Sequence, residues 1–135
     1  MDSPRSAPRS ERPTRGKPLS CAELVESLCE ASVPLRELRR VHLESYGTLI
    51  PHVFMAAVLA RVGDCLIVGA AHAMATNGPE VKGILQALED GMADGDREAR
   101  NVIAISFVRD AEVELFFDDL KPLLGPATRA QMRGR

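Results

Sequence analysis

Aromatic residues are scarce in this 135-residue chain: four phenylalanines, one tyrosine and no tryptophan. The core must therefore be built from Leu, Val, Ile, Ala and Met. Cysteine is scarce as well. Cys21, Cys29 and Cys65 form no paired framework and no Cys-x-x-Cys motif. That pattern argues against a disulfide-stapled secreted fold and sets the expectation of a reducing, cytoplasmic setting. No hydrophobic segment of the signal-peptide kind opens the chain, which agrees with the same expectation.

Catalytic and ligand-binding patterns are lacking too. Gly63, Gly69 and Gly78 are isolated, so there is no glycine-rich phosphate loop, and no Gly-x-Ser-x-Gly surrounds Ser106. His42, His52 and His72 never fall four residues apart, the spacing of a helical metal site, and no cysteine stands close in sequence. Each is expected as a hydrogen-bonded structural histidine. Asp90, Asp94, Asp96 and Glu98 suggest calcium only by composition. A calcium loop starting at Asp94 needs Gly at its sixth position and Glu at its twelfth, where this chain has Ala99 and Ile105. The neighbours Asp118 and Asp119 diverge by about 100° on a helix and need not share a site. No catalytic residue, metal ligand or cofactor is assigned.

The net charge of −2 is unevenly spread. Residues 1–18 and 126–135 each carry a net +3, which leaves −8 on residues 19–125. The expected organisation is a disordered basic tail over 1–18, a single helical domain over 19–125 and a basic C-terminal tail over 126–135. Pro4, Pro8, Pro13 and Pro18 among Ser and Arg leave the first segment nothing apolar to bury. The acidic body disfavours nucleic acid as a partner.

Within the body the punctuation is helical. Ser20-Cys-Ala-Glu23 reads as a capping box ahead of Leu24, Val25 and Leu28. Pro34 starts a second helix with Leu35, Leu38, His42 and Tyr46 on one face, closed by Gly47. Pro51 opens a third. The apolar runs Val53–Ala60 and Cys65–Ala71 together approach membrane-spanning length, but Arg61 and Asp64 near the middle cost about 2.5–3.5 kcal/mol each at a bilayer centre. No membrane span is expected there, but two buried segments broken near Gly63. Val81, Ile84, Leu85, Leu88 and Met92 make the cleanest amphipathic helix. A last helix over Ala111–Leu120 is expected to bury Val113, Phe116, Phe117 and Leu120.

The body is organised around Asn101-Val-Ile-Ala-Ile-Ser-Phe-Val108, hemmed in by charges on both sides. A segment apolar on every side should be surrounded on every side. Its β-branched residues suit a buried strand. The flank Asp96-Arg97-Glu98-Ala99-Arg100, with Asp96 as N-cap, tips the choice to a helix. Ser106 would then place its hydroxyl on the carbonyl of Val102. The expected fold is all-α, a compact bundle of about six helices with a buried central helix near residues 97–109.

Three stretches, Tyr46-Gly-Thr-Leu-Ile-Pro-His-Val-Phe-Met55, Asn101–Val108 and Leu120-Lys-Pro-Leu-Leu-Gly-Pro126, resemble a small bacterial domain family of unknown function. The likeness runs from about Tyr46 to Pro126. The chain departs from the pattern at Arg109-Asp110, where the family suggests Glu-Asn, and in the run Cys65–Met74. The resemblance implies a compact helical cytoplasmic protein, and some similar proteins look like immunity partners of bacterial toxins. It carries over no catalytic residue.

One local feature points to a partner. From Glu89 to Asp119 there are ten acidic and three basic residues. On the expected last helix, Leu115 points away from the buried stripe, with Glu112, Asp118 and Asp119 around it. An apolar side chain ringed by acids is the pattern of a small protein-binding hot spot for a basic protein. The expected function is a non-catalytic interaction module with an acidic surface, of the toxin-neutralising immunity kind. The alternative is a small enzyme or ligand-binding domain with a pocket near His52 or His72.

Overall fold

The computed structural model describes residues 17–71 and 78–132. Most of the expected N-terminal tail, His72 and the last three residues lie outside them. Seven α-helical segments are described: α1 Cys21–Ala31, α2 Val33–Tyr46, α3 Pro51–Ala71, α4 Gly78–Asp94, α5 Arg97–Ile103, α6 Phe117–Leu120 and α7 Pro126–Arg129. The fold is an all-α bundle. The one extended pairing described is an isolated bridge between Leu19 and Gly95, where Leu19 N–H donates to Asp94 O and Asp96 N–H to Leu19 O.

The helix starts follow local chemistry. Ser20 caps α1 reciprocally with Glu23: Glu23 N–H donates to Ser20 Oγ at 3.1 Å and Ser20 N–H to Glu23 Oε1 at 2.9 Å. Ser32 caps α2, and Gly47 ends it at φ 76°, a left-handed conformation that costs a glycine little. His42 is buried. Its Nε2 accepts from Ile50 N–H at 2.9 Å, so it ties the α2–α3 turn to the bundle. The face residues of α4, Val81, Ile84, Leu85, Leu88 and Met92, are all buried as their spacing requires.

α3 departs from expectation. It runs unbroken through Gly63 as a 21-residue helix. Gly63 does not break the helix; it makes room. A methyl at this position would run into the ring of Phe116, so the glycine lets the turn after the central helix lie directly on α3. One side of α3, with Phe54, Met55, Val58, Leu59, Val62 and Cys65, is buried. The stretch Pro51–Gly69 has the length and composition to cross a bilayer, and 39% of its most apolar window is buried within the bundle.

The central segment is helical but not regular. α5 passes into a π turn over Ala104–Arg109. A π turn holds one residue more than an α turn, and the extra residue rotates everything after it by about 100°. Ala99, Val102 and Ile103 face inward before the turn, Ser106, Phe107 and Val108 within it, and Ala111 after it. Ile105, also within the turn, lies at the surface, 38% exposed. The segment is therefore not enclosed on every side. The expected last helix over Ala111–Leu120 is not continuous. The helix ends at Ala111, the chain turns through 112–116, and only Phe117–Leu120 is helical again. Val113 is thrown outward, 82% exposed.

The packed domain extends past residue 125, where the C-terminal tail was expected to begin. Glu89 on α4 accepts from Ala127 N–H at 2.8 Å, from Thr128 N–H at 2.9 Å and from Thr128 Oγ1 at 2.8 Å. It thereby caps α7 from another helix. Thr128 and Met132 are buried. Burial by itself would raise the Glu89 carboxyl, but the N–H groups of Thr128 and Ala127 more than offset this and hold it below the usual range. Glu89→Ala should cost about 1–2 kcal/mol, the range for a lost helix cap. Hydrogen exchange at Ala127–Met132 should accelerate selectively; unchanged protection there would show that the clasp does not hold α7.

Candidate functional site

The turn over residues 112–116 is the most exposed apolar feature described. Leu115 is fully exposed at 101%, and Val113 stands two residues away at 82%. Isolated exposed leucines are ordinary on soluble proteins. Here two large aliphatic side chains project from one short turn that is well hydrogen-bonded. Glu112 N–H donates to Val108 O, Glu114 N–H to Ala111 O, Phe117 N–H to Glu114 O and Leu120 N–H to Phe116 O. Phe116, seated against Gly63, anchors the turn from below. Its shape is thus set before any partner arrives.

Of the acids expected around Leu115, Asp118 and Asp119 are exposed, whereas Glu112 is half-buried at the foot of the turn. Glu114 is exposed beside Leu115. Sequence periodicity assigned Val113 to the core. It belongs instead with Leu115, and the only hint was its position between Glu112 and Glu114.

His52 occupies a different place. It is exposed in the first turn of α3, and its Nδ1 lies 2.5 Å from Ser106 Oγ. Ser106, which is buried, therefore turns to α3 rather than to the carbonyl of Val102. This contact links the π turn to the start of α3. A hydroxyl beside an imidazole is one element of nucleophilic catalysis, which also requires a group orienting the base. Among the described residues no hydrogen-bonded carboxylate holds the other nitrogen of His52. The alternative location, His72, is outside the described residues.

The three thiols are buried. Burial pushes Cys21 up to about 11, helped by Glu98 and Asp96, and burial likewise raises Cys29 and Cys65. Thiols held neutral in this way are poor nucleophiles.

The other polar cluster is internal. Arg61 on α3 pairs with Glu80 on α4 through Nε to Oε2 at 2.8 Å and Nη2 to Oε1 at 2.9 Å. Ser32, the cap of α2, donates its hydroxyl to Glu80 Oε2 at 2.6 Å. Three helices meet at this carboxylate, and its groups are satisfied by one another. The arrangement is structural.

Comparison with protein-family models, with curated proteins and with solved structures found no match to this chain.

Proposed function

We propose that the protein is a non-catalytic interaction module that captures a basic protein, in the manner of an immunity protein neutralising a toxin. The observation that carries this reading is the full exposure of Leu115, beside Val113, on a turn held by its own hydrogen bonds. A rigid apolar projection loses little conformational entropy on binding, so more of its burial appears as affinity. Glu114, Asp118 and Asp119 supply exposed negative charge next to it. Their field would speed encounter with a cationic surface and reject acidic ones. The −8 carried by residues 19–125 extends that field beyond the turn.

The test is capture of a partner by the full chain, followed by titration against two variants. Leu115→Arg should abolish binding while leaving the melting curve unchanged, because the side chain contacts nothing it could disrupt. Asp119→Lys should mainly slow association, and the rate for the parent protein should fall with added salt. Wild-type affinity in a folded Leu115→Arg variant would place the partner surface elsewhere.

A further inference from the structure

We propose that the groove between α5 and α7 binds a small organic anion: a carboxylate or phosphate head on a compact apolar body. The groove is shallow and largely open to solvent, with about 570 Å³ of space along it. That volume falls within the roughly 300–1,000 Å³ of small-molecule sites. Its floor is Met92 of α4, an unbranched thioether that adapts to irregular shapes. Alanines at 104, 127 and 130 line it where larger side chains would fill it.

The rim supplies the head-group chemistry. Arg97 and Arg100 lie three residues apart on α5, both exposed and both lining the groove. Neither makes an ion pair with any of the described residues. Planar guanidinium groups fork onto carboxylate and phosphate oxygens. Asn101 and Gln131 add amide donors from the two walls. Among the described residues no carboxylate lines the groove. Acids close to the lining residues in sequence or by contact have other partners: Asp96 caps Ala99 N–H, Glu98 faces Cys21, and Glu89 holds the start of α7. Two unpaired cations over an apolar floor, in a body of net −8, form a local inversion of charge that suits an anionic amphiphile.

A small anion meets the opposite charge and fits the volume. The inference does not depend on the 112–119 turn, which shares no residue with the groove.

The experiment uses the full chain, with phenyl phosphate and benzoate as probes, followed by backbone amide shifts and calorimetry. Both probes should shift the amides of Ala104, Ala127 and Ala130. The Arg97→Gln/Arg100→Gln double variant should weaken binding by about tenfold or more, a factor that calorimetry resolves readily. Ala130→Leu, at an exposed position, should block binding without lowering the melting temperature. Ala104→Leu fills the opposite wall as a second check. Phenol should bind far more weakly, because it lacks the head, and inorganic phosphate because it lacks the body. Equal binding of inorganic phosphate, indifferent to Ala130→Leu, would reduce the site to surface charge and overturn the proposal. So would preference for an oligoglutamate peptide over both probes, or the absence of any shift in the three alanines.

Discussion

Phe107→Ala is expected to lower the unfolding free energy by about 3–5 kcal/mol, the range for truncating a buried aromatic. Ile105→Ala, two residues away, should cost no more than about 1 kcal/mol, since much of its side chain already meets water. Phe107 is one of the largest fully buried side chains, whereas Ile105 is 38% exposed. Both residues lie in the π turn over Ala104–Arg109, Phe107 on its core side and Ile105 on its outer side. Urea denaturation followed by far-ultraviolet circular dichroism measures both changes. Comparable losses at the two positions would mean that the two side chains are not divided between core and surface in this way. The effect on Phe107 should be large because few aromatics are available to compensate, and the neighbouring Leu, Val and Ile side chains are themselves packed.

Glu80→Ala should rank next, at about 3 kcal/mol, because it strips a partly buried arginine of its partner and Ser32 of its acceptor. Arg61 would then have to reach water from within the α3–α4 contact. Glu80→Gln should cost less, since the amide oxygen can still accept a bond from Ser32 or Arg61. The pair also makes a pH prediction. Hydrogen bonds from Arg61, and then from Ser32, hold the Glu80 carboxyl below the usual range despite its burial. A carboxyl lowered in the folded state contributes its full stabilisation above its unfolded value of about 4.3. That contribution is lost as the pH falls through the lower folded value. Wild-type protein should therefore lose stability in this acid window more steeply than Glu80→Gln. Glu89, also lowered, adds a shallower loss common to both. Parallel stability–pH curves for the two proteins would exclude a role for the Arg61–Glu80 pair.

The candidate surface was partly legible from residue order. Leu115 stood out as an apolar residue among acids, and it is exposed. The reason first given for its exposure, the back of a continuous helix, is not the physical one. Helical spacing placed Val113 with Phe116, Phe117 and Leu120. Of these Leu120 is buried, the two phenylalanines are partly buried, and Val113 is outside. A wheel drawn with a constant 3.6-residue period registers neither the π turn over 104–109 nor the end of the helix at Ala111. Nor could spacing alone bring Ser106 to His52, 54 positions apart, or Glu89 to Thr128, 39 positions apart.

Residue order by itself determined the helical class, the start of α1, the start and stop of α2, and the buried face of α4. Those features rest on caps, prolines and apolar spacing within a few residues, and such interactions form from the local chain alone. It also determined the acidic body and the poverty of catalytic motifs. Tertiary structure alone decided that α3 runs on through Gly63, because the reason for that glycine is the Phe116 ring on the other side of the contact. It alone decided that residues 126–132 belong to the domain, because the group that caps α7 is a carboxylate on α4. And it alone turned Val113 and Leu115 outward together. Both lie in the turn over 112–116, beyond the end of the helix at Ala111, and Phe116 seats that turn on Gly63, a contact between elements that no local period encodes.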